Sequence, residues 1–245
     1  MPTDGHTKHT GLSGVGLQQS RDQWEQRGEA LAKALSELAT AHAIDPCTSG
    51  LDVGCQDGTL TDAIAQRLGG RWVGIDPGIP GSSLSPQGRT LMHGWAHDLP
   101  FDALSFDVVI FANVFEHVDP AKRLDSLREM HRVLRPAGIL VGQLPNPYFF
   151  IESHSRLPFM GYLPVSIQKR YWRFAPVPWQ HDFYVVTIKA LRADALRSGF
   201  EISATRNFNY PVEVIPRSVQ WAARALRPVV THIPWAWQFV LRRAA

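Results

Sequence analysis

The stretch GLDVGCQDGTL, Gly50 to Leu60, starts as an apolar strand with one acid in it, breaks at a turn bracketed by Gly54 and Gly58, and continues into helix formers. A strand that passes through a glycine turn into a helix is the opening unit of a doubly wound α/β sheet, where the first such turn usually holds the ligand. The spacing is G-x-x-x-G. It is not the dinucleotide fingerprint G-x-G-x-x-G, which brings main chain and a helix N-terminus against a pyrophosphate. Asp52 in the strand and Asp57 in the turn would repel that anion and suit a ligand carrying an ammonium or a sulfonium.

Downstream, short apolar runs alternate with helical ones. RWVGID leads into a Gly/Pro/Ser loop, and RTLMHGWA precedes LPF. FDVVIFANVF then precedes the helix PAKRLDSLREMHRVL, and GILVGQL follows. Apolar runs this continuous belong to strands covered on both faces, and their alternation with helices predicts parallel strands joined by right-handed crossovers. Asp119 is placed to cap the helix that starts at Pro120, and Leu124, Leu127, Met130, His131 and Leu134 line one side of it. A last helix, Thr187 to Ser198, is stopped by Gly199 and leads to the strand FEISATRNF, beside which WQFVLRR is expected to return as a final strand.

Upstream, Ser20 and Gln23 make a capping box. Trp24, Leu31, Leu35, Leu38 and His42 then recur at helical spacing until Asp45-Pro46. Residues 1–19 read as a disordered leader with no apolar segment of the signal-peptide kind, and residues 20–245 as a single domain.

With 245 residues, 44% of them apolar and 19% charged, the chain has the composition of an ordinary globular protein with a sizeable core. A net charge of +3 is too small a bias to imply nucleic acid. The two cysteines, Cys47 and Cys55, form neither a disulfide framework nor a zinc spacing, which suits a cytoplasmic protein; no metal site is read from the chain. The longest apolar stretch, VVTHIPWAWQFVL, is interrupted by His232, Pro234 and Gln238 and falls short of the ~20 residues a spanning helix needs. No acid follows Glu213, while Arg217, Arg224, Arg227, Arg242 and Arg243 do. The basic run 214–245 reads as a helix and an edge strand closing the sheet, with peripheral membrane contact as its alternative.

Asp76 ends the strand RWVGID, 22 residues beyond Gly54. That is close to the offset of ~20 residues at which an acid accepts hydrogen bonds from a ribose diol. Taken with the acidic turn, it points to a nucleoside without phosphates that carries a cationic tail.

LDVGCQDG, GID, DLPFDALSFDVVIFANVFEHVDP, HRVLRPAGIL and LRSGFEI follow one another in order between Gly50 and Ile202. This series resembles the class I S-adenosylmethionine-dependent methyltransferases, in particular the broad small-molecule group with LPF, EHV and VLRPGG motifs. The resemblance implies a Rossmann-like fold: a doubly wound, mostly parallel seven-stranded sheet with helices on both faces and, in this chain, an aromatic insert after the fifth strand. It implies S-adenosylmethionine as cofactor. Asp52, Gly54, Cys55 and Gly58 would form the cofactor turn, Asp76 would bind the ribose hydroxyls, and Asn113 would lie near the methionine moiety. Two positions depart from the family pattern. Gln56 replaces the middle glycine of G-x-G-x-G, and Trp95 stands where an acid near the adenine amine is usual, offering an indole face for adenine instead.

The insert 145–180 is rich in proline and aromatic residues and is expected to shape the acceptor site. It holds Glu152, His154 and Arg156, with His181 just beyond it. His154 and His181 are the first candidates for a catalytic base, with His117 of FEHV beside them. IESHSRLPFMGYLP resembles a segment of methyltransferases acting in glycan and lipid-linked saccharide pathways. The expected activity is O-methylation of a hydroxylated small molecule, a saccharide or a lipid-linked glycan. The alternatives are a non-catalytic cofactor-binding partner subunit and a C- or N-methyltransferase of a natural-product pathway.

Overall fold

The structure is a computed structural model that describes residues 14–42, 47–177, 181, 183–212, 220–221, 224–225 and 233–244. Its eight strands are β1 (Ser49–Val53), β2 (Arg71–Asp76), β3 (Ser82–Leu84), β4 (Thr90–His93), β5 (Phe106–Ala112), β6 (Leu134–Pro145), β7 (Phe200–Phe208) and β8 (Ala236–Arg243). Its helices are α1 (Gly14–Thr40), α2 (Thr59–Leu68), α3 (Arg123–Val133), α4 (Val165–Tyr171) and α5 (Ile188–Arg197). The strands form one sheet in the order β3-β4-β2-β1-β5-β6-β8-β7. The five central strands β4, β2, β1, β5 and β6 run parallel; β3 at one edge and β8 next to β6 run antiparallel to them, and β7 at the other edge, antiparallel to β8, points the same way as the central strands.

Side chains of β5 alternate between two buried faces, which is why its sequence is continuously apolar. Val108 and Ile110 pack with Leu31, Leu35 and Leu38 of α1 and Ile64 of α2. Val109 and Phe111 pack with Leu127 and Met130 of α3 and Leu191 of α5. Each such side chain contributes about 1.5–3 kcal/mol when fully buried, so helices on both faces follow from the strand pattern. The sheet order reverses between β1 and β5, and the carboxyl ends of β1, β2, β5 and β6 meet there.

The sheet has eight strands, not the expected seven. The additional strand is β3, inside the Gly/Pro/Ser loop, and all three of its residues are exposed. An edge strand joined by backbone hydrogen bonds alone leaves no apolar pattern to read. With β3 counted, the aromatic insert follows the sixth strand. It is not uniformly irregular, since it holds α4 and single 3-10 turns at Met160–Tyr162 and Trp172–Phe174.

The leading helix starts at Gly14, so Ser20 lies inside it and does not cap it, and residues 14–19 are helical where a disordered leader was expected. Leu17, Gln18 and Gln19 before Ser20, with Arg21 and Gln23 after it, favour helix, and a cap signal loses to propensity on both flanks. The expected stop at Asp45-Pro46 and residues 1–13 lie outside the described residues, as does most of the expected helix over 217–227. Asp119 does cap its helix, accepting from the Ala121 N–H at 2.8 Å, although the first turn is 3-10. Thr187 caps α5 through the Ala190 N–H. Among the described residues, no helix is long and apolar enough to cross a membrane.

Candidate functional site

The turn after β1 is built against the end of β2. The N–H groups of Gly54 and Cys55 both donate to Ile75 O, at 2.8 and 3.1 Å, and the N–H of Gln56 donates to Asp76 Oδ2 at 3.1 Å. Gly54 has φ +82, and a Cβ there would sit 2.3 Å from Val114 Cγ2. Gly58 has φ +80, with Ser85 Cβ 2.7 Å from where its Cβ would be. Both glycines are therefore required twice over, by conformation and by crowding. Gln56 occupies the same left-handed region, at φ +51, with its side chain exposed. A non-glycine residue held there stores on the order of 1–3 kcal/mol of strain, which is typical of ligand sites.

Asp52 is buried in β1, and its Oδ2 accepts from the Thr61 hydroxyl at 2.6 Å. Burial raises its pKa to about 6, against the lowering effect of Thr61 and with a further rise from the charge of Asp76. Cys55 is also buried, and burial, then Asp52 and Asp76, push its thiol well above the usual range, so it fills space and is not a nucleophile.

The donor set fits S-adenosylmethionine. Asp76 Oδ1 accepts from the Gly78 N–H at 2.7 Å and Oδ2 from the Gln56 N–H. Each oxygen is fixed by one donor and keeps lone-pair capacity, which gives two adjacent acceptors for a vicinal diol. The turn's first three N–H groups are already committed to Ile75 and Asp76, and carboxylates surround the turn. That suits a cationic nucleoside and not a phosphate. Trp95 follows β4 two residues after His93, which is the register partner of Asp76. It is 52% exposed, with its ring near those of His93 and His97, so an indole face is available beside the ribose position. Asn113, at φ +58, directly follows β5. Its N–H donates to Gln143 O at 2.8 Å and its Oδ1 accepts from Gln143 Nε2 at 3.1 Å. Gln143 in turn accepts from Gln238 Nε2 at 3.0 Å, so a buried amide chain through β6 and β8 holds Asn113 in place.

The three candidate histidines come together around Phe183. His154 stacks on Phe183 with ring centroids 4.5 Å apart, and His181 stacks on it at 4.6 Å. His117 meets His154 edge-on at 5.0 Å. His154 Nδ1 lies 2.7 Å from Glu152 Oε1, and its Nε2 lies 3.6 Å from Glu116 Oε1. Burial alone would lower the pKa of His154, but Glu116 and Glu152 outweigh it and hold the imidazole up to about 10. Glu152 is held down to about 2, where burial is outweighed by His154 and by backbone N–H donors from His154 and Ser155. In this charge state His154 is a cation without a lone pair to take a proton, contrary to its expected role as a base. The local charge is set by two carboxylates in separate loops. Glu116 went unread, although it is the acid of FEHV itself; its signal was a carboxylate closing an otherwise apolar run. Phe183 and Gln143 carried no signal separable from core residues.

Residues 51–142 match the sequence profile of the methyltransferase domain family. The matched span holds Asp52, Gly54, Gly58, Asp76, Trp95, Asn113, Glu116 and His117, while Glu152, His154 and His181 lie beyond it. The chain is 33% identical over 128 residues to an uncharacterised methyltransferase of Synechocystis, covering 51% of this chain and 56% of that one. It is 34% identical over 102 residues to the demethylmenaquinone methyltransferase of Staphylococcus epidermidis, covering 38% and 42%. The chain thus spans about half the length of the curated relatives it matches. An S-adenosylmethionine-dependent methyltransferase from Mesorhizobium loti superposes with a TM-score of 0.57 at 17% identity, over 84% of this chain and 96% of that one. At that identity the likeness is one of fold.

Proposed function

We propose that this chain is an S-adenosylmethionine-dependent methyltransferase that acts on the oxygen of a hydroxylated acceptor, such as a small molecule, a saccharide or a lipid-linked glycan. The observation that carries the cofactor half is the Asp76 carboxylate, with each oxygen fixed by one backbone donor at the end of β2. When bound, the cofactor supplies an activated methyl group on a sulfonium. The chain's own contribution is mainly alignment, worth up to about 7–11 kcal/mol in favourable intramolecular cases. Asp76 and the glycine turn hold the nucleoside end, Trp95 offers a stacking face, and Asn113 stands at the strand end nearest the acceptor side.

The acceptor half rests on the insert. Its exposed aromatic residues Phe159, Tyr162 and Phe174, with Lys169, Arg170 and Arg173 beside them, offer stacking faces for sugar rings and cations for a phosphate. Trp221 is 73% exposed, which favours a peripheral membrane contact through 214–245 as a second role for the C-terminal run.

Calorimetric titration with S-adenosylmethionine, S-adenosylhomocysteine and NAD tests the reading, with Asp76→Ala in parallel. Saturable binding of the first two, lost in the variant, supports it. Binding of NAD alone, or of none, ends the assignment. Release of S-adenosylhomocysteine in a screen of hydroxylated acceptors excludes a merely cofactor-binding partner subunit. Deletion of the insert should spare cofactor affinity and abolish turnover.

A further inference from the structure

We infer that Glu116, His117 and His154 form a binding site for one divalent transition-metal ion, with Zn(II) the ion the donor set suits best. Each residue offers one ligand atom, and these atoms lie within 4.8 Å of one another. His154 Nε2 and Glu116 Oε1 are 3.6 Å apart. That is too long for a hydrogen bond, and close to the separation of about 3.4 Å between two ligands that each sit ~2.1 Å from a tetrahedral ion. Two imidazoles and one carboxylate favour zinc and its neighbours over magnesium or calcium, which prefer oxygen.

Three independent features point to a ligand there. Glu116 is 3% exposed, and both of its carboxylate oxygens are buried without a hydrogen-bond partner. Buried charges in proteins are paired or coordinate metals. His154 is oriented from behind, because Glu152 Oε1 sits 2.7 Å from its Nδ1 and itself accepts from the His154 N–H. A carboxylate on one ring nitrogen is the usual support for a metal-binding histidine, and the other nitrogen, Nε2, which gives up its proton when a metal binds, lies on the side of Glu116. Finally, two of the three ligand residues, Glu116 and His154, line a cavity of about 10 Å³ with Glu152 and Phe183, room for about one water-sized particle, and His117 lies outside its lining. His117 is the exposed member, and three protein ligands leave a fourth tetrahedral position, the arrangement of a catalytic metal site.

Resting on the proposed function, this assigns the open position to the acceptor hydroxyl. Its O–H bond breaks and the proton goes to solvent, while its oxygen forms the new bond to the methyl carbon. The electron pair of the carbon–sulfur bond returns to sulfur, leaving a thioether. A cation beside that oxygen eases loss of the proton at neutral pH without any histidine having to take it.

The test is titration of the chelator-treated full chain with ZnCl2 by calorimetry and with CoCl2 by visible absorption. One equivalent should bind saturably, with the cobalt form showing the ligand-field bands of a low-coordinate site. Affinity should fall more than tenfold in Glu116→Gln and in His117→Gln, and about 10–100-fold in Glu152→Gln, where only the supporting carboxylate is lost. His42→Gln, at the far end of α1, should leave it unchanged. If Glu116→Gln does not fold by circular dichroism, His117→Gln decides, because that residue is exposed. Absence of saturable binding, or binding that both ligand variants leave intact, overturns the site. S-adenosylhomocysteine titrated into the metal-free chain separates the two readings: its failure sinks the methyltransferase proposal and leaves the metal result standing.

Discussion

The Gln56 N–H donates to Asp76 Oδ2 at 3.1 Å, so the turn's only left-handed residue that is not glycine is tied to the carboxylate at the end of the neighbouring strand. The glycine turn and the ribose candidate are therefore one rigid unit, although they lie on successive strands. The bond is made by the main chain, so any residue able to adopt the conformation preserves it.

Gln56→Gly should consequently keep the unit and relieve its strain. A left-handed residue costs about 1–2 kcal/mol, and the added freedom of glycine in the unfolded chain takes back about 0.4–1 kcal/mol. Thermal or urea unfolding should show a gain of up to about 1 kcal/mol, with the S-adenosylhomocysteine affinity changed less than threefold. A clear loss of stability would mean that the glutamine side chain holds something itself.

Gly54→Ala should be severe, since its Cβ would stand 2.3 Å from Val114 Cγ2. Val114→Ala in the same chain removes the two methyl contacts at 2.3 and 3.1 Å and leaves a Cβ contact of 3.3 Å with the cost of the positive φ. A double-mutant cycle on stability should return a favourable coupling of about 0.5–3 kcal/mol. Additive effects would show that the two residues do not press on each other.

Asp107 sets an acid limb of stability. Its Oδ2 accepts from the N–H and hydroxyl of Thr48 and the N–H of Ser49, and its Oδ1 from Arg135 Nη1 at 2.7 Å. Burial pushes its pKa up, but these donors outweigh it and hold the carboxyl at about 2. A depressed carboxylate stabilises above its unfolded pKa and loses that contribution as pH falls through the folded one. Between about pH 4 and pH 2, a stabilisation of roughly 1–2 kcal/mol should disappear from wild type and be missing from Asp107→Asn at pH 7.

Asp52 works in the opposite sense. Burial raises its folded pKa to about 6, above the unfolded value, so ionisation costs stability as pH rises from about 4 to 6. Asp52→Asn, which keeps a polar partner for Thr61, should be more stable than wild type at pH 7 by roughly 1–3 kcal/mol, with the difference vanishing below about pH 4. A loss of cofactor affinity alongside that gain would show that the charge is retained for the sulfonium. Equal stability at all pH values would remove the claim that burial raises the pKa of Asp52.

The doubly wound sheet, the glycine turn and the place of Asp76 were legible in the amino-acid sequence because each depends on short-range signals. The period of the apolar residues in β5, the caps at Asp119 and Thr187, and the positive φ of Gly54 and Gly58 all act within a few residues. The edge strand β3 was not legible, since it is held by backbone bonds and buries nothing. Nor was the charge state of His154. It is set by Glu152, two residues away, and by Glu116, which belongs to a different loop and is brought near only when β5 and the insert pack at the same end of the sheet. Local pattern decided which elements form and where the glycine turn lies. The buried contacts between distant loops, whose energies depend on desolvation and distance, were decided by tertiary structure alone.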